Sequence, residues 1–221
     1  MNVLITGANR GIGLALTQAM AARGDSVLAA ARRDGPSGAS IEPLTLDVTD
    51  EASLAALTQT LEDRALDLLV CNAGALIGRG GLEDPAYTHD AFAQVLAVNV
   101  TGVFMTVRAC LPALRRAQVP AKIAIISSGM GSTARASGNA YLYRASKAAA
   151  TNLAACMADE LRGEGIAVAA YHPGWVRTDM GGASASVAPD ASAAGLIQRF
   201  DALSLASTGC FETFEGQTLP F

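Results

Sequence analysis

Short apolar runs and longer amphipathic segments alternate along this chain from its first residues. The run at 3–6 predicts a strand, and 11–23 predicts a helix with Leu14, Leu16, Ala19 and Met20 turned inward. Strands are predicted at 25–31 and, beyond the GPSGAS loop, at 42–46, and a helix at 50–63 capped by Asp50 or Thr49. The segment LDLLVC at 66–71 is apolar without alternation, as expected of a strand covered on both faces. Two helices are predicted at about 88–98 and 100–117, the second kinked at Pro112. A buried strand at 122–127, a long helix at 143–162 and a strand at 166–171 follow. The tail predicts a helix near 190–205 and a last strand near 208–212.

This alternation implies right-handed βαβ units and an α/β fold, a doubly wound, mostly parallel sheet with helices on both faces. No composition break or repeat divides the chain, so residues 1–221 are read as a single domain, with a short lid at about 179–195. Hydrophobic residues make up 51% and charged ones 16%, which excludes a disordered chain. No uninterrupted apolar stretch reaches the roughly 18–20 residues that cross a bilayer. A strand starting at Val3 leaves no room for a leader, so no membrane partner and a cytoplasmic location are expected. Net charge is −4, and no basic run exceeds Arg32-Arg33 or Arg115-Arg116, which argues against nucleic acid. Cys71, Cys110, Cys156 and Cys210 form no CxxC, and His89 and His172 lack metal-ligand spacing, so no metal is expected.

Chemistry enters at two places. The first is Thr6-Gly7-Ala8-Asn9-Arg10-Gly11-Ile12-Gly13, between the first strand and the first helix. Glycines there let the backbone turn tightly and approach a pyrophosphate, while the helix N-terminus offers free N–H groups. The spacing is GxxxGxG rather than GxGxxG. The second is Tyr143 and Lys147, four apart and thus on one helix face, with Ser127 and Ser128 closing the strand before them. A tyrosine of pKa about 10 is a poor proton donor near neutrality, and a nearby cation favours its phenolate. Taken alone, the pair could equally be a solvated helix face.

With TGANRGIG, CNAG at 71–74, Asn99, Ser127-Ser128, Tyr143-x-x-x-Lys147 and Pro173-Gly174 in order, the chain resembles the short-chain dehydrogenase/reductase family, whose fold is of the Rossmann type with seven strands. PGWVRTDMGG and the closing GQTLPF make it most similar to the C-factor-like and Sniffer-like carbonyl reductases. The resemblance implies Tyr143 as acid/base, Lys147 as the group that tunes it and bonds the nicotinamide ribose, and Ser128 as the hydroxyl that orients the carbonyl. It implies Asn99, placed at a helix start, as the holder of a relay water. Asn72, Ala73 and Gly74 would line the adenine-ribose side, Asp47 and Val48 the adenine, and Pro173, Gly174, Val176 and Thr178 the nicotinamide end. Two features depart from the pattern. Cys71 replaces an asparagine, and Ser128 lies a little farther before Tyr143 than usual. Adjacent strand residues face opposite ways, so only one serine reaches the site, and the resemblance favours Ser128.

The second strand ends Ala30-Ala31-Arg32-Arg33 with no acid until Asp34, and Arg10 is a second cation directed to the same place. A guanidinium pairs with a ribose 2′-phosphate, whereas an acid prefers the 2′-hydroxyl, so NADP(H) is expected over NAD(H). The resulting expectation is an NADPH-dependent oxidoreductase acting on a small carbonyl or alcohol. The alternative is an NADP(H)-binding signalling or sensor protein on the same fold. His172 is read as a packed histidine, and Trp175 as a wall of the nicotinamide end. Small and apolar residues covering more than one face of the helices at 100–117 and 143–162 point to a homodimer, with a tetramer possible, as does the resemblance.

Overall fold

The computed structural model describes residues 1–221. Its strands are β1 (Asn2–Thr6), β2 (Ser26–Ala31), β3 (Ile41–Thr45), β4 (Leu68–Cys71), β5 (Lys122–Ile126), β6 (Ala167–His172) and β7 (Phe211–Thr213). They form one sheet in the order β3-β2-β1-β4-β5-β6-β7. All six pairings are parallel, so the sheet is wholly rather than mostly parallel. Pro43, which lacks a ladder donor, is tolerated because β3 is an edge strand.

The helices are α1 (Gly11–Ala22), α2 (Glu51–Thr60), α3 (His89–Leu96), α4 (Gly102–Arg115), α5 (Tyr141–Leu161) and α6 (Pro189–Ala202). The pleat divides strand side chains between two cores. Leu4, Leu69 and Ile123 join α2, α4 and α5 on one face, while Val3, Ile5, Val70 and Ala124 join α1 and α6 on the other. Asp50, rather than Thr49, caps α2, its carboxylate accepting from Ser53 N at 2.8 Å.

Two boundaries that bear on the site differ from the sequence expectation. The helices predicted at 88–98 and 100–117 are one continuous rod, in which a π turn, Ala97–Thr101, joins α3 to α4 and Gly102 N bonds back to Ala97 O. Asn99 therefore lies inside that turn and not at a helix start. The rod is long and apolar enough to cross a membrane by length and composition. Here it instead packs its inner stripe, Val95, Val103, Val107, Cys110 and Leu114, inside the protein. The loop read as a lid ends at 188, because Pro189 opens α6, where its missing N–H costs nothing.

The sheet's connections reverse direction between β1 and β4, so a crevice opens beyond the carboxyl ends of these strands. The glycine loop leaves β1 there, CNAG leaves β4, and Ser127-Ser128 leaves β5.

Candidate active site

The floor of the crevice is built by close backbone packing. Gly7 has φ +67°, and a Cβ on it would lie 3.0 Å from Ala73 Cα. A Cβ on Gly13 would overlap Gly7 O and meet Asn72 Nδ2 at 2.5 Å. Asn72 Nδ2 donates to Thr6 O at 2.8 Å and Gly7 O at 3.2 Å, so strand ends β1 and β4 are tied through this side chain. Thr6 Oγ1, which the sequence reading passed over, accepts from the N–H of Asn72 and of Ala73, both at 3.0 Å. Helix α1 starts without a side-chain cap and without an acid in its first turn. Its open N–H groups and the space left by the glycines fit the pyrophosphate of a dinucleotide.

Around this floor the predicted contacts fall on one rim. Asn9 Nδ2 donates to Arg33 O at 3.2 Å, joining the loop to the end of β2. Arg32 lies close enough to Asp47 to help hold its carboxyl below the usual range, after the larger effect of hydrogen bonds from Thr49. Val48 is buried against the π turn, where a Cβ on Gly102 would lie 2.7 Å from Val48 Cγ2. Ile12 packs on the α1–α6 core. Arg10, expected to be directed to the same place as Arg32, is exposed on the glycine loop. Its guanidinium reaches 3.1 Å to Asp179 and so ties the glycine loop to the loop before α6.

On the other rim Pro173, Gly174, Val176 and Thr178 follow β6. Pro173 O accepts from Ser192 Oγ at 2.6 Å, and buried Val176 bridges Val187. Gly174 adopts φ +87° against Phe214. Thr178 Cγ2 would lie 3.1 Å from a Cβ on Gly11, which brings the two rims together. Trp175 Nε1 donates to Gly181 O at 2.8 Å and is half-exposed.

Between the rims stand the reactive groups. Ser127 Oγ is bound to Thr151 Oγ1 at 2.6 Å and donates to Lys147 O at 3.1 Å, which turns it into helix α5. Ser128 faces the other way. Its hydroxyl stands beside the Tyr143 phenol, and accepts from Met130 N at 3.1 Å. Burial pushes the Tyr143 phenol above its ordinary value, opposed by the Ser128 hydroxyl and the charge of Arg79. Lys147 Nζ lies 5.7 Å from the centroid of that ring, yet it donates at 2.7 Å to Ile126 O. Burial lowers the Lys147 ammonium to about 8. In the protein alone, burial outweighs the Ser128 hydroxyl and the Arg79 charge, so the phenol lies above its ordinary value.

Asn99 is wholly buried, and its carboxamide is fully used. Oδ1 accepts from Ala75 N at 2.8 Å, while Nδ2 donates to Ala75 O and Ser146 Oγ, each at 2.9 Å. Ser146 Oγ in turn donates to Tyr143 O at 2.8 Å. Asn99 thus splices the loop after β4 to helix α5, and Gly74 fits beside it, where a Cβ would lie 3.5 Å from Asn99 Oδ1 and 3.6 Å from Lys147 Nζ. The sequence reading missed Ser146 and Arg79, whose roles arise only from contacts across the fold. His172 is packed against Gly129, with burial lowering it to about 4 and Nδ1 unpaired, in keeping with a neutral core histidine.

Residues 1–187 match the short chain dehydrogenase family. A Myxococcus xanthus protein named C-signal is 35% identical over 71% of this chain and 93% of its own length. The NADPH-bound carbonyl reductase from chicken fatty liver superposes with a TM-score of 0.88 at 33% identity, covering 100% of this chain and 98% of the other. The carbonyl reductase Sniffer of D. melanogaster also superposes with a TM-score of 0.88, at 27% identity over 100% of this chain and 99% of its own. Motif order, topology and these likenesses agree: the chain is an oxidoreductase belonging to the short-chain dehydrogenase/reductase family.

Proposed function

We propose that this protein reduces an aldehyde or ketone with NADPH as hydride source. The observation that carries the reading is the placement of the Ser128 hydroxyl beside the Tyr143 phenol, with the Lys147 ammonium 5.7 Å from the phenol ring. When bound, the cofactor supplies the hydride that the carbonyl carbon accepts. Ser128 donates to the carbonyl oxygen and fixes its position. Tyr143 gives that oxygen its proton, and a phenol kept protonated by burial is in the right state for the reductive direction. Lys147 bonds the nicotinamide ribose and offsets the phenolate that the transfer leaves behind. Asn99 holds the relay side of the pocket through Ala75 and Ser146.

Gly7, Asn9, Gly11, Ile12 and Gly13 would cradle the pyrophosphate, with Asn72, Ala73 and Gly74 along the adenosine ribose and Asp47 and Val48 at the adenine. Pro173, Gly174, Val176 and Thr178 would carry the nicotinamide end. Arg32 supports NADP(H) over NAD(H), since the second strand ends Ala31-Arg32-Arg33 with no acid before Asp34, and the chicken reductase named above is NADPH-bound. We further propose a cytoplasmic homodimer. Phe92, Leu96 and Phe104 expose an apolar strip on the α3–α4 rod, which a second copy would cover.

The test is a panel of aldehydes, ketones and quinones, followed through NADPH absorbance, with Tyr143→Phe as control. Turnover in the wild type and none in the variant, with NADPH still bound, is expected. Full activity in Tyr143→Phe would overturn the assignment.

A further inference from the structure

We propose that Arg79 selects carbonyl substrates that carry a carboxylate, so that the natural substrate is an oxo acid; this rests on the reductase reading above. Arg79 is exposed, yet its backbone is firmly mounted. The backbone N–H groups of Arg79 and Gly80 donate to Asp84 Oδ2 at 3.0 and 2.8 Å. Gly80 O accepts from the Tyr87 hydroxyl at 2.9 Å and from Ala140 N at 3.1 Å. The same Tyr87 oxygen accepts from Tyr141 N at 3.1 Å. Ala140 and Tyr141 are the entry to α5, and Ala140 holds a left-handed φ of 47° there. The Arg79 loop is therefore joined to the first turn of the helix that carries Tyr143.

From this mount the guanidinium reaches across to Met180 O, while Trp175 holds the next carbonyl, that of Gly181. No carboxylate pairs with Arg79. The ion pairs in its neighbourhood are accounted for without it, since Asp179 belongs to Arg10 and Asp84 is spent on backbone N–H groups of Arg79, Gly80 and Ala86. Its charge is close enough to the Tyr143 phenol to favour the phenolate. Arg79 keeps guanidinium N–H groups beyond the one given to Met180 O, with no carboxylate partner, and these are donors of the geometry that a carboxylate accepts.

In the balanced step, hydride from NADPH adds to the carbonyl carbon and the Tyr143 proton to its oxygen. NADP+ and a hydroxy acid result, and the carboxylate is unchanged. A merely structural role, with Arg79 only pinning the loop at Met180, would affect charged and neutral substrates alike.

The experiment compares 4-formylbenzoate with its methyl ester, which share the reacting aldehyde and differ in charge. The wild type is expected to favour the acid in kcat/KM, and rising salt should narrow that preference. Arg79→Met should lower the acid-to-ester ratio about tenfold, the usual scale for a hydrogen bond to a charged group, and Arg79→Lys should restore part of it. An acid-to-ester ratio that is the same in wild type and Arg79→Met overturns the proposal, as does a wild type that prefers the ester. If the wild type reduces neither compound, the reductase reading fails separately. Binding of 4-(hydroxymethyl)benzoate to the NADP+-loaded protein, read by Trp175 fluorescence, then still tests Arg79, and equal affinity in wild type and Arg79→Met sinks it.

Discussion

Ser127 and Ser128 are neighbours on one strand end, yet their hydroxyls serve opposite sides of it. Ser127 is locked to Thr151 and to the carbonyl of Lys147, while Ser128 is left beside the Tyr143 phenol. Ser128→Ala should cut kcat/KM by about a hundredfold or more, the scale for loss of an oxyanion donor, with stability little changed. Ser127→Ala should instead lower the urea midpoint, by about 1–2 kcal/mol in stability, because it removes two buried hydrogen bonds, to Thr151 Oγ1 and to Lys147 O. Exchange of these two phenotypes would reverse the assignment.

Lys147 makes pH a probe of burial. In the unfolded chain its ammonium ionises near 10.5, and in the cofactor-free fold at about 8. Between those values the unfolded chain keeps a proton that the folded protein has shed, so wild-type stability gains with rising pH, by up to about 3 kcal/mol. Lys147→Met has no such group and should lack that gain. Parallel pH dependences of the urea midpoint in the two proteins would refute it.

Arg32 should read the 2′-phosphate. Arg32→Ala is expected to raise the KM for NADPH about tenfold, in line with loss of a charged hydrogen bond, and to leave that for NADH unchanged. Steady-state kinetics with both cofactors checks this, and an equal effect on both would remove Arg32 from the 2′ site.

Asn99 should prove structural. Asn99→Ala orphans the part-buried Ala75 N–H and C=O and removes the donor to the buried Ser146 hydroxyl, which keeps its own bond to Tyr143 O. A loss of about 2–4 kcal/mol is expected, to be measured by urea unfolding. Unchanged stability would mean the splice between the loop and α5 is dispensable.

Phe104 is 45% exposed on α4. If a second copy covers it, Phe104→Glu should convert the dimer to a monomer in light scattering, with the far-ultraviolet circular dichroism preserved. A wild type that is already monomeric would end the dimer proposal.

Much of the molecule was legible in the chain because the physics that sets it is local. Apolar period fixed the strand and helix succession, and Asp50 marks a true helix start. The glycine loop was legible because Gly7 and Gly11 need left-handed backbone and Gly13 needs close approach, demands that no other residue meets. Tyr143 and Lys147 share a helix face through spacing alone. The expected lid was too long, since small residues at 191–195 look like loop but form part of α6. The break expected near Asn99 is absent, because the continuity of the α3–α4 rod depends on a π turn next to Val48 and Ala75, contacts made across the fold.

By itself, then, the sequence determined a doubly wound α/β chain, because periodicity and turn chemistry act over a few residues, and its ordered motifs carried the resemblance to the short-chain dehydrogenase/reductase family that picks out the candidate reactive residues. Only tertiary structure decided which serine faces Tyr143, that Lys147 rests on Ile126 O, that Arg10 pairs with Asp179, and that Arg79, without a carboxylate partner, brings its charge within reach of the phenol. Each of these turns on groups distant in sequence whose meeting depends on how helices and loops pack on the sheet, and burial then sets which proton each group keeps.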